Sequence, residues 1–297
     1  MRVLLAALCL FVSFALRSPA RLCAAGYADS TDTAVPAGDS SSVQLPRLLL
    51  VGGVTAGGFI AGHVFLTNLW WKGEKSGFHF NWDDDWRYAL GADKFGHAIT
   101  PYIGTDIYRQ ALEWTGMGPE ASVWWAGGFI SLYTTYVEVR DGFSAEWGFS
   151  WGDFAANNLG VAWRVAEHYE PWLNNVRWKI SYWPSQAFRD GAYSSIVDDY
   201  ESTYHWASLN VDAVLPETWR PWWPDFVNLA VGHSVQGVVA LDGSGKQELY
   251  IGLDWNTEGL PGDGAFWNWM KHTLNYYHLP APTVRIAPNV VWYGVHF

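Results

Sequence analysis

At Pro171 the hydrophobic pattern of the chain changes period, and this switch limits the fold more than any other feature. Before it, apolar residues recur at the 3.6-residue spacing of helices; after it they alternate with polar ones, as strands require. "VRWKISYW" sets Val176, Trp178, Ile180 and Tyr182 against Arg177, Lys179 and Ser181. "FVNLAVGHSV" and "ELYIGLDW" alternate in the same way, and "LDGSGKQ" between them reads as a hairpin turn. One more helix is expected near 264–278, before a closing strand with the row Val291, Tyr293, Val295, Phe297. The fold class expected is α+β: a bundle of about four helices over 45–171, then a mainly antiparallel β region over 172–297 packed on it.

The helical half is glycine-rich and membrane-like. "LPRLLLVGGVTAGGFIAGHVFLTNLWW" (45–71) is long enough to cross a bilayer and offers only Arg47 and His63 as charges. Gly53, Gly57 and Gly58 sit at the spacing that lets membrane helices approach closely. Further helices are expected over 89–114, over 119–139 and after Ser150, where Ser150 and Asp153 read as N-terminal capping residues. The 21 Trp and 17% aromatic residues, beside only 16% charged, point the same way, since Trp and Tyr favour membrane–water interfaces. Membrane lipid is therefore the expected partner. A net charge of −11 with no basic stripe argues against nucleic acid. Ending on Phe297 resembles the last strand of outer-membrane barrels, but about five or six strands fall short of the eight such barrels need.

Residues 1–28 read as a secretory leader: Arg2, the apolar run "VLLAALCLFVSFAL", then small residues with cleavage after Ala25 or Ala28. Cys9 and Cys23 would leave with it, so no disulfide or thiol chemistry is expected. Residues 29–44, small, polar and acidic, read as a disordered linker. The expected location is the bacterial cell envelope, outer membrane or periplasmic membrane surface.

The polar residues that interrupt this apolar half are the candidates for chemistry. "FHFNWDDDW" with "DKFGH" supplies His79, Asn81, Asp83, Asp93 and His97. "EVRDGFS" supplies Glu138 and Asp141, and "GFSWGDFAANNLG" supplies Asp153 and Asn157 on one helical face. On bundled helices Asp93, His97, Glu138 and Asp153 form a histidine–carboxylate set suited to a divalent metal, with Glu138 or Asp141 as a base. Asp83–Asp85 read as a solvated loop or helix cap. Two functions stay open: a membrane-associated site for a cation or polar lipid head group, extending to metal-assisted hydrolysis of an envelope lipid or glycan if the chain is an enzyme, and a non-catalytic assembly protein whose polar cluster fixes helix packing. An open cleft beside the cluster favours the first, a dry, closed network the second.

With these motifs the chain resembles the YfiM-like proteins, predicted bacterial envelope proteins. The likeness rests on "FHFNWDDDWRYALGADKFGH", "VEVRDGFSAEWGFSWGDFAANNLG", "DDYESTYHWASLN", "ELYIGLDWN" and the closing "HLPAPTVRI" and "WYGVHF". It implies that His79, Asn81, Asp83, Asp93, His97, Glu138, Asp141, Gly142, Asp153 and Asn157 occupy the family's recurring positions. It implies export, often as a lipoprotein, and no reaction. The chain departs from that pattern at Cys23, where "ARL" lacks the small residue that precedes a lipidated cysteine.

Overall fold

The computed structural model of the chain describes residues 42–193, 195–238 and 244–297. The leader, both cysteines, nearly all of the linker and hairpin residues 239–243 lie outside the described residues.

Four long helices come first: α1 (Leu45–Leu69), α2 (Ala92–Trp114), α3 (Pro119–Asp141) and α4 (Trp151–Tyr169). Their starts follow local chemistry. Proline opens α1 and α3, where its missing N–H costs nothing, and Ser150 Oγ accepts from the N–H of Asp153 to cap α4. Helix α2 begins differently. Ala89 and Leu90, neither of them glycine, hold left-handed φ of 45° and 53°, followed by Gly91 at 78°. Such backbone costs of order 1–3 kcal/mol per residue and persists only where its surroundings impose it.

Helices α2, α3 and α4 pack as a close trio. Gly160 makes the α2–α4 contact possible, because a β-carbon there would fall 1.9 Å from the Ala98 carbonyl oxygen. Helix α1 is peripheral. Its Phe59 and His63 rings meet Tyr136 of α3, and Arg47 donates to the Trp114 carbonyl at 2.9 Å. Most of its length stays exposed: only 6% of its most apolar window is buried. Among the described residues it alone is long and apolar enough to cross a membrane. The expected bundle of four is therefore three packed helices with a fourth alongside.

The second half is a six-stranded antiparallel meander in sequence order: β1 (Val176–Tyr182), β2 (Thr203–Leu209), β3 (Val227–Gln236), β4 (Lys246–Trp255), β5 (Ala281–Ala287) and β6 (Val291–His296). Helix α5 (Ala265–Leu274) lies between β4 and β5. The segment leading into β5 turns back onto β1: Ile180 N–H donates to the Tyr276 carbonyl at 2.9 Å, and His278 N–H to the Ile180 carbonyl at 3.0 Å. The sheet thus curls round its own inner face. Trp178 of β1 meets Tyr102 and Trp163, and Phe95 stacks on His233, so the outer face of one flank packs on the helices.

Candidate functional site

The loop before α2, the first turns of α2, the end of α3 and the start of α4 face one cleft, lined among others by Asn81, Asp93, Lys94, His97, Glu138, Asp141 and Asp153. Helical spacing explains this: Asp93, Lys94 and His97 occupy one turn of α2, and Asp153 and Asn157 one face of α4. The donor atoms of His97, Glu138 and Asp153 all lie within 4.8 Å of one another. His97 Nδ1 is 3.3 Å from Asn157 Oδ1, while Asn157 Nδ2 donates to Glu138 Oε1 at 3.0 Å. The other ring nitrogen, Nε2, lies 3.7 Å from Asp153 Oδ1. The His97 side chain keeps 29% of its surface exposed, whereas Glu138 keeps 2%.

Lys94 occupies the other side of Asp153. Its ammonium is 2.7 Å from Asp153, 2.8 Å from Asp85 and 2.9 Å from Asp93, nearly all out of water. Asp85 was expected in a solvated loop or as a helix cap; it is buried, not solvated, and caps the start of α4, accepting from Ser150 Oγ at 2.5 Å and from the Gly152 N–H at 2.9 Å. Gly152 leaves the room for this pairing, since a β-carbon would lie 2.6 Å from Lys94 Cε.

The two aspartates that share Lys94 respond oppositely. Burial pushes Asp85 up, but hydrogen bonds from Lys94, Ser150 and Gly152 outweigh it and leave the carboxyl below its usual range. Asp93 is raised to about 6, first by burial and then by the charge of Asp153; its Oδ1 has no hydrogen-bond partner among the described residues. Burial, with Asp153 and Asp141 nearby, raises Glu138 to about 9. Asp141 rises to about 6 by burial, although the Trp71 indole donates to it at 2.5 Å. Burial also works against the Lys94 ammonium, but Asp153 and Asp93 hold it above the ordinary lysine range.

Of the residues singled out in the sequence, Asp93, His97, Glu138, Asp141, Asp153 and Asn81 line the cleft, and Asn157 bridges His97 and Glu138 behind it. His79 does not line the cleft; its Nδ1 is 3.1 Å from Ser76 Oγ. Asp83 is exposed. Sequence reasoning missed Asp85 and the central place of Lys94; the available signal was a lysine between Asp93 and His97 in an apolar run. It also missed a second cluster, centred on a fully buried carboxylate. There Asp106 of α2 takes Arg109 and Arg164 as ion-pair partners, accepts from Tyr276 at 2.7 Å and meets His272 Nε2 at 2.6 Å. That cluster ties α2 and α4 to α5.

Residues 80–168 match the family described as "Predicted periplasmic lipoprotein (DUF2279)". The matched stretch carries the cleft and stops before β1. No curated protein and no solved structure matches the chain. The family match supports an exported protein of the bacterial cell envelope.

Proposed function

We propose that the chain binds a divalent cation through His97, Glu138 and Asp153 and, through that cation, an anionic lipid head group at the envelope membrane. The observation that carries this reading is the convergence of one imidazole and two carboxylates within 4.8 Å beside an open cleft. Ligands about 2.1 Å from a shared ion stand at most roughly 4.2 Å apart, so a small inward movement completes the set. Asn157 supports the arrangement by orienting the His97 ring, as outer partners of metal-binding histidines do. Charge favours a cation too. Five aspartates line the cleft (Asp85, Asp93, Asp141, Asp153 and Asp198) against one ammonium, Lys94, and a bound cation would draw Glu138 into its ionised form as well.

The alternative, a polar cluster that only fixes packing, describes the Asp106 network better than the cleft, because Asp106 is fully buried and its carboxylate is saturated with partners. The cleft keeps His97 open to solvent. The YfiM-like resemblance, on the same motifs, belongs to this reading; the lipid anchor that the family description names would need Cys23, which is outside the described residues. Hydrolysis has no observation that favours it over binding.

The test is isothermal titration of the chelator-treated, detergent-solubilised protein with Mn²⁺ and Zn²⁺, beside His97→Ala and Asp153→Asn. Stoichiometric binding lost in both variants supports the site. An absence of binding to the folded wild type, or binding retained in both variants, sinks it.

A further inference from the structure

The inner face of the sheet buries charged groups beside an aromatic cluster of Trp206 and Tyr250, while the outer face is apolar. On the concave face Lys179 and Asp254 are fully buried 2.6 Å apart, His278 meets the same carboxylate at 3.0 Å, and Arg285 pairs with Glu248. On the convex face, beyond the flank that packs on the helices, Val231 of β3 lies opposite Ile251 of β4, which lies opposite Val284 of β5. Val231 is 56% exposed, Ile251 47% and Trp292 of β6 72%. No charged side chain interrupts the outward positions of Val227–Val231, Leu249–Trp255 or Pro282–Ile286.

Water penalises both halves of this arrangement, because buried charges lose hydration and exposed aliphatics gain nothing. Lipid reverses the preference, as in membrane sheets whose apolar residues face outward and whose polar residues face inward. Three details favour lipid over a protein partner. The band is uninterrupted by polar groups, whereas protein interfaces are about as polar as ordinary surface. Strands β3, β4 and β5 are each paired on both sides, so the band presents backbone that is already hydrogen-bonded. From Leu249 to Trp255 it runs roughly 20 Å at about 3.4 Å per residue, and it ends where Phe226, a few residues after the 87% exposed Trp222 in sequence, stacks on Trp255. An aromatic rim of this kind belongs at the lipid–water boundary.

We propose that the convex face of β3–β5 is immersed in the acyl chains of a phospholipid bilayer, making the β region a membrane-embedded element whose inner face holds its ion pairs and aromatic rings. This is independent of the cation site, which lies on the helical half.

Fluorescent labelling of the full chain tests it. Cys9 and Cys23 are replaced by serine, and single cysteines are introduced as Val231→Cys, Ile251→Cys and, as an aqueous control, Asp190→Cys. Each labelled protein is reconstituted in phosphatidylethanolamine–phosphatidylglycerol vesicles, with or without brominated acyl chains. Labels at 231 and 251 are expected to lose most of their emission to brominated lipid and little to iodide, with the reverse at 190. Quenching of 231 and 251 by iodide as strong as at 190 overturns the proposal. So does shielding from both quenchers, which assigns the face to a protein partner or a second copy. The readout is local, so attachment of the protein through α1 cannot mimic it.

Discussion

Lys94 and Asp85 form a buried ion pair, Nζ to Oδ1 2.8 Å, that joins the first turn of α2 to the N-terminus of α4. The same ammonium also pairs with Asp93 and Asp153, so a single cation offsets three carboxylates out of water. Lys94→Met keeps the length of the side chain and removes the charge. We expect a loss of about 3–5 kcal/mol, the usual penalty for leaving buried partners unpaired. Denaturant titration with far-UV circular dichroism checks it; a loss below about 1 kcal/mol, the range of exposed pairs, would mean that solvent already screens the cluster.

Gly160→Ala tests the α2–α4 contact. The added methyl meets the backbone oxygen of Ala98, which has no rotamer to yield, so the helices must separate. We expect destabilisation at or above the upper end of the roughly 1–3 kcal/mol typical of overpacking. Gly128→Ala is the control: nothing lies within 4 Å of a β-carbon there, so ordinary helix propensity should make it neutral or slightly stabilising.

Glu138 titrates near 9 in the fold against 4.5 for an ordinary glutamate, so folding disfavours its ionised form and its contribution to stability falls as pH rises from 4.5 towards 9. Glu138→Gln, a neutral mimic of the acid, escapes that fall. With chelator present the variant should be more stable than wild type at pH 8 by upward of about 1 kcal/mol, with the gap closing towards pH 5. Thermal melts at the two pH values decide it. Equal pH dependence in the two proteins would show that Glu138 is not held neutral. Saturating Mn²⁺ should reverse the order, since only the wild type offers the carboxylate.

His272 clips the two halves together, with Nε2 2.6 Å from Asp106 of α2 and Nδ1 2.7 Å from Glu258 beside α5. Burial opposes protonation of the imidazole, but those two carboxylates outweigh it and raise the histidine above its usual range. A raised folded value stabilises fully below the unfolded value of about 6.5 and is lost as pH climbs through the folded one. The carboxylates run the other way. Asp106 is held well below its usual range and Glu258 near 2, despite burial, chiefly by hydrogen bonds to His272, so their share is lost only in acid. His272→Gln should therefore cost about 2 kcal/mol at pH 6 and progressively less in alkali. A Tm difference that stays flat from pH 6 to pH 9.5 would count against a charged clip.

Much of this architecture is legible in the sequence alone. Each long helix, the Ser150 cap and the change to strands after Pro171 follow from period, capping residues and turn chemistry, which are local properties. So is the membership of the cleft, because Asp93, His97, Glu138, Asp141 and Asp153 break apolar segments where a charge needs a reason. The partners are not legible. Which of three consecutive aspartates turns inward to Lys94, and that Asp106 would meet His272 across 166 positions, depend on how helices dock at long range.

The β region separates the two kinds of information most sharply. Alternation along β3 and β4 determines that the sheet has one polar and one apolar face, since side chains repeat every second residue. It does not determine which face turns inward, because a period of two is unchanged when the sheet is turned over. Only the tertiary structure decided that, through the return of Tyr276–His278 onto β1, which closes the curl over Lys179 and Asp254 and leaves Val231 and Ile251 outside.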